Sequence, residues 1–266
     1  MNNSIDFNIV QSGDNEKDPI LFLHGFLGNS ADWNKIMDAL SQQYHSVAID
    51  LPGHGKTIIS GNDNNFSIEK TAGAIARMIE NRFEKKINLI GYSMGGRLAF
   101  YLLLNFAHLF EKAVIESSSP GIKDEQVRKE RLKNDIALSE RIKNSPLDEF
   151  LKFWYQQPLF ESLASEPEKL RNLIKSRMEN DRLTLAKSLS MMSTGRQPSL
   201  WDEIKKISVP ICLIVGQKDF RFQEINRDIA TRIKKCELHI IKDCGHNVHA
   251  EKPHDFSLVV KTFLSK

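Results

Sequence analysis

Seven short apolar runs recur along the chain, and each closes on polar or glycine-rich residues: FNIV, ILFLHG, SVAIDLPGHG, INLIGYS, AVIESS, ICLIVG and LHIIKDCGH. Their apolar character is continuous rather than alternating. That pattern marks strands covered on both faces, as in a parallel sheet. Helical periods lie between them. In SIEKTAGAIARMIENRF the residues Ile68, Ala72, Ile75, Ile79 and Phe83 share one helical face, and Ser67 is placed to cap its start. PHDFSLVVKTFL puts proline and then an acid ahead of an apolar stripe, which predicts a closing helix. The alternation predicts an α/β fold on a mostly parallel, doubly wound sheet.

Between Gly121 and Leu200 the rhythm changes. Strand-like runs stop, and charged, helix-favouring sequence takes over (DEQVRKERLKNDIALSERIKN, then EPEKLRNLIKSRMENDRLTLAKSLSMM) until WDEIKKISVPICLIVG restores a strand. A helical block inserted between two strands of such a sheet is expected to lie over their C-terminal ends, where these sheets bind ligands. The expected division is a core of residues 1–120 and 201–266 carrying a helical cap, 121–200.

Bulk properties narrow the function classes. Hydrophobic residues make up 41% and charged residues 27%, which is globular composition. The formal charge of +3 is a residue of many interleaved charges with no basic stripe, which argues against nucleic-acid binding. No apolar stretch reaches the length of a bilayer span, and the first residues carry no basic, then apolar, leader pattern. Three cysteines (Cys212, Cys236, Cys244) lack C-x-x-C spacing and read as reduced thiols, so a cytoplasmic location is expected. No ligand cluster or phosphate loop implies a metal or organic cofactor, and a monomer is the expected state.

The chemistry concentrates in GYSMGGR. A strand, a turn with glycines two before and two after Ser93, and then a helix form the nucleophile elbow, G-x-S-x-G. A serine hydroxyl needs a base, and the base needs an orienting acid. In α/β-hydrolases these follow in the order Ser, Asp, His. Asp219 follows the ICLIVG strand, and His246 follows the LHIIKD strand and a turn glycine. His249 is the rival base, read otherwise as a histidine at a helix start or on the surface. His45, His108, His239 and His254 read as structural or exposed. In this fold the N–H of the residue after the serine, Met94, pairs with one from the loop after HG, Phe26, to hold an oxyanion. His24 is expected to order that loop, and DLPGHG to be architectural.

Arg97 follows Ser93 by four residues and shares its helix face. A cation in a helix's first turn opposes the helix dipole. It therefore implies either a buried acid partner or an anionic ligand whose carboxylate the guanidinium forks.

LHGFLGNSADW, DLPGHG, GYSMGGR, ESSSPGI followed by EQVRKER, FWYQQPLF and CGHNVHAEKP together resemble the 2-succinyl-6-hydroxy-2,4-cyclohexadiene-1-carboxylate synthases of menaquinone (vitamin K2) biosynthesis. The resemblance runs from about Ile20 to the C-terminus, and GYSMGGR combined with WYQQP is its specific part. It implies an α/β-hydrolase fold and elimination of pyruvate from an enolpyruvyl cyclohexene bearing succinyl and carboxylate groups. It implies Ser93, Asp219 and His246 as triad, the N–H groups of Phe26 and Met94 as oxyanion hole, and Tyr92, Arg97 and Trp154 in the substrate site. It also implies two cap arginines. The first matches Arg131, and the second matches Arg177, with Arg171 and Arg182 as alternatives because the intervening cap differs in length. SSS at 117–119 departs from the family pattern.

A carboxylesterase or C–C bond hydrolase uses the same triad with the serine as nucleophile, and a small-molecule receptor uses the fold with no turnover. Epoxide hydrolases and dehalogenases are excluded, since their elbow carries a carboxylate.

Overall fold

The computed structural model describes residues 4–266. Among these, nine strands run β1 (Ser4–Asp6), β2 (Ile9–Ser12), β3 (Asp18–Leu23), β4 (Tyr44–Ile49), β5 (Ile58–Ser60), β6 (Ile87–Tyr92), β7 (Phe110–Glu116), β8 (Ile211–Gly216) and β9 (Cys236–Ile241). Seven of them make one sheet in the order β2-β4-β3-β6-β7-β8-β9. Only β2 is antiparallel to its neighbour. β4, β6 and β8 are buried at every position, whereas the edges β2 and β9 are partly exposed. Continuous apolar runs thus mark the strands with both faces covered. The FNIV run is a strand only from Ile9 onward. β1 and β5, which no apolar run announces, form a separate antiparallel pair.

The core helices are α1 (Asn34–Leu40), α2 (Ile68–Arg82) and α3 (Met94–Asn105) before β7. Five more, α4 (Glu125–Asn144), α5 (Leu147–Tyr155), α6 (Glu161–Ala164), α7 (Pro167–Arg177) and α8 (Arg182–Met191), lie between β7 and β8. After β8 come α9 (Phe220–Arg232), α10 (Val248–Glu251) and α11 (Pro253–Leu264). Ser67 Oγ accepts from Lys70 N at the start of α2, whose buried positions include Ile68, Ala72, Ile75 and Ile79. One apolar layer joins α2, α3 and α9 to a sheet face, and a second joins α1 and α11 to the other. A third cluster belongs to the helices of the β7–β8 connection, built from Ile142, Phe150, Leu151, Leu163 and Leu185, and the core residue Leu27 is buried within it. No helix among the described residues is long and apolar enough to cross a membrane.

Close packing around α3 fixes the central turn. A Cβ on Gly91 would sit 2.6 Å from Gly95 O, and one on Gly96 would sit 2.5 Å from Ser118 Cβ. A Cβ on Gly95 would drive into the Leu23 carbonyl, which belongs to β3. Alanine favours a helix interior by about 1 kcal/mol over glycine. Overpacking against immobile backbone costs up to about 3 kcal/mol, so the clash wins. Gly95→Ala is therefore expected to lower unfolding stability by about 2 kcal/mol. Urea denaturation monitored by circular dichroism tests this, and an equally or more stable variant contradicts the packing account.

Candidate active site

Ser93 occupies the turn between β6 and α3 with φ 49°, a left-handed conformation that costs a non-glycine residue energy unless its surroundings enforce it. Here they do. Ser93 N donates to Glu116 O at 2.9 Å, Ser93 O accepts from Ser118 Oγ at 2.7 Å, and Gly95 N donates to His24 O at 3.1 Å. Ser93 Oγ lies 3.2 Å from His246 Nε2, and His246 Nδ1 lies 2.7 Å from Asp219 Oδ2. His246 and Asp219 are buried, while Ser93 is partly exposed. Three loops after β6, β8 and β9 meet here because parallel strands place their C-terminal ends on one rim. The chain places Asp219 Oδ2 on Nδ1, so Nε2 faces the hydroxyl and can accept its proton.

Met94 N and Phe26 N stand apart from their neighbours. Leu27 N donates to His54 Nε2, and Ser93 N and Gly95 N are bonded to carbonyls. Among the described residues neither the Met94 nor the Phe26 amide donates to a protein acceptor. Aromatic rings close over this point. Trp154 meets the Phe26 ring at 5.2 Å and Phe160 at 6.2 Å, while Phe160 stands edge-on to His246 at 6.3 Å. Phe222 lies 4.7 Å from His246 on another side. Tyr92 is buried against Gly25 and between His246 and His249.

Arg97, one turn after Ser93, is partly buried and donates from Nη1 to Gln197 Oε1 at 2.7 Å. Burial and the nearby Arg131 charge push its guanidinium down to about 10. Arg131 on α4 donates from Nε to both Asp135 oxygens at 2.8 and 2.9 Å. Asp135 is itself buried and also accepts from Ser193 Oγ at 2.7 Å. The mixed charges of this helix suggest a solvated face, and most of it is solvated, but Asp135 is not.

Residues 18–253 match the alpha/beta hydrolase fold family. The putative 2-succinyl-6-hydroxy-2,4-cyclohexadiene-1-carboxylate synthase of Bacillus subtilis (strain 168) is 33% identical over 266 residues, covering 100% of this chain and 97% of that one. The synthase of that name from Serratia proteamaculans (strain 568) is 31% identical, covering 96% of each. The solved structure of MenH from S. aureus superimposes with a TM-score of 0.92 at 30% identity over 98% of both chains. The chain belongs to this synthase family.

Within this member of the family, Arg177 does not present a free guanidinium. Its Nη1 and Nη2 donate to Asp32 at 2.6 and 2.8 Å, and its Nε donates to Tyr155 Oη at 3.4 Å. Burial alone would raise the Asp32 carboxyl; the Arg177 charge and hydrogen bonds overcome that and hold it below the usual range. Of the alternatives, Arg171 and Arg182 are exposed, and Arg182 donates to Lys143 O. His249 begins a helix, as expected, but the surface reading is corrected. It is buried, stacked on Trp33 at 4.3 Å and bonded to Glu116 Oε2 at 2.7 Å, because Glu116 at the end of β7 needs a partner in the interior. Among the described residues no three His, Cys, Asp or Glu side chains converge to hold a metal. The three cysteines are free, and burial raises the Cys236 thiol to about 12.

The loop carrying the Phe26 amide is held from both sides. Leu27 adopts φ 68°; its N–H donates to His54 Nε2 at 3.1 Å and its carbonyl accepts from Asn180 Nδ2 at 2.9 Å. His54 Nδ1 donates to Pro52 O at 3.1 Å. His24 repeats the arrangement, donating from Nδ1 to Gly25 O and accepting at Nε2 from Leu51 N. Rings that accept an N–H must be neutral. Burial lowers both histidines, His54 well below the ordinary value. Sequence reasoning attached the loop to His24 and passed over His54 and Asn180, which sit in an architectural turn and at the end of a charged helix.

Because the folded His54 value is depressed below 6.5, the unfolded chain takes up this proton first as pH falls. The ring's contribution is complete above that pH and is lost progressively below it. Unfolding stability should thus decline between about pH 7.5 and 5.5, and decline less in His54→Gln, whose amide oxygen keeps the acceptor without titrating. Equal slopes in the two proteins would remove His54 from this role.

Proposed function

We propose that this chain eliminates pyruvate from 2-succinyl-5-enolpyruvyl-6-hydroxy-3-cyclohexene-1-carboxylate to give 2-succinyl-6-hydroxy-2,4-cyclohexadiene-1-carboxylate, a step of menaquinone biosynthesis. The observation that carries the reading is the pairing of a serine–histidine–aspartate relay with two neighbouring guanidiniums, Arg97 and Arg131, at a single site. The full-length synthase relatives support it. An uncharged ester has no need of two cations, whereas a ring bearing several carboxylates does.

In this reading Ser93, its proton drawn to His246 Nε2, takes the proton from the ring carbon that bears the succinyl group. The developing enolate oxygen is held by the Phe26 and Met94 amides, and Asp219 stabilises the imidazolium. The ring double bond shifts, a second forms, and the carbon–oxygen bond to enolpyruvate breaks. The His246 proton is available to the departing enolpyruvate, which ketonises to pyruvate. Serine here is a base, and no acyl-enzyme forms. Arg97 and Arg131 bind carboxylates, with Tyr92 and Trp154 against the ring. The helices α4–α8 act as a lid whose aromatic underside excludes water. The Arg177–Asp32 pair fastens that lid to the core beside the Phe26 loop, so Arg177 contributes by holding the site together.

Pyruvate release, coupled to lactate dehydrogenase, tests this directly. Ser93→Ala should lose at least about a thousandfold in kcat. Arg97→Ala should raise KM at least about tenfold, as expected for losing a charge-assisted bond worth about 1.5–3 kcal/mol. A covalent serine adduct during turnover, or Arg97→Ala behaving as wild type, overturns the proposal in favour of a hydrolase.

A further inference from the structure

Arg97 is paired with an amide. Its Nη1 donates to Gln197 Oε1 at 2.7 Å, and no carboxylate among the described residues lies within ion-pair distance. The acid whose charge reaches it, Asp135, is already engaged by Arg131 Nε and Ser193 Oγ. Gln197 is only 3% exposed, and its backbone N–H is tied to Ser193 O at 3.0 Å. Its Nε2 is buried and has no hydrogen-bond partner among the described residues.

Judged by stability alone, glutamine is the wrong residue here. An unpartnered buried N–H costs about 1–3 kcal/mol. A glutamate of the same length would remove that donor and give the guanidinium a counter-charge. The amide fixes the direction of Arg97 while leaving its charge uncompensated, which is what an incoming carboxylate requires. A carboxylate at the same place would occupy the guanidinium and repel the ligand.

We propose that Gln197 is the specificity-determining partner of Arg97: a neutral residue kept at a cost in stability so that the arginine stays charged and unfilled for a substrate carboxylate. The proposal rests on the reading of the site as one that binds a multiply anionic ring.

The test compares Gln197→Glu with Gln197→Met in the full chain. Three quantities are read: melting temperature, KM and kcat for pyruvate release, and calorimetric affinity for trimesate, a ring tricarboxylate. Gln197→Glu should melt higher than wild type, raise KM at least about tenfold and weaken trimesate binding to the same degree, with kcat changed less than about twofold. Gln197→Met, which removes the hydrogen bond without adding charge, should raise KM by no more than about threefold and should not melt higher. Glutamate and methionine variants that lose affinity equally would overturn the proposal, since shape rather than charge would then matter. A glutamate variant that binds like wild type, or that does not fold, overturns it too. If wild type binds trimesate and Gln197→Glu does not, while no pyruvate is released, the charge assignment stands and the reaction assigned above fails. If pyruvate release is normal and Gln197→Glu alters neither KM nor trimesate affinity, the charge assignment alone fails.

Discussion

The left-handed backbone at Ser93 holds the hydroxyl above the sheet, and most of the site is organised around keeping it there. The strain is local, but what resists it is spread over the molecule. Three glycines let α3 approach β3 and Ser118 more closely than any side chain allows, and carbonyls of Glu116 and His24 take the N–H groups on either side of the turn. A turn so enclosed has few ways to relax, which is the condition for the Ser93 hydroxyl to keep its distance from His246.

The loop carrying the Phe26 amide is held on a similar principle, but its supports come from further away. Leu27, again left-handed, is gripped by His54 from the turn after β4 and by Asn180 from the segment between α7 and α8. Asn180 also accepts from Gly55 N at 2.8 Å, so a single amide ties the inserted helices to two core loops. A few residues away, Arg177 forks Asp32, whose carboxylate accepts from Asn29 N in the capping box that opens the next turn. Breaking a buried pair of this kind typically costs about 3–5 kcal/mol. This part of the seam between inserted helices and core is therefore polar and hydrogen-bonded, and it runs past the amide proposed to stabilise developing charge.

The two histidines nearest that loop are neutral because they must accept hydrogen bonds, whereas His249 is set against a buried glutamate. Arginines divide in the same way: Arg177 is fully paired, Arg131 shares Asp135 with a serine, and Arg97 has only an amide. Residue type alone does not separate these roles. What separates them is which groups the fold brings to the far end of each side chain.

Much was legible in the chain itself. Apolar runs named seven strands because burial on both faces leaves no room for alternation, and the elbow, Asp219 and His246 follow from strand order and turn glycines, since parallel strands deliver their C-terminal loops to one rim. That the connection between β7 and β8 is helical was legible from the loss of those runs. Partners distant in sequence were not. Gln197 lies 100 residues from Arg97, Asn180 lies 153 from Leu27 and Asp32 lies 145 from Arg177. Short-range periodicity carries no record of such pairs. Whether a given arginine is free or filled, and whether His249 faces solvent or glutamate, is settled only when packing removes water and each buried polar group must find whatever partner the tertiary fold supplies.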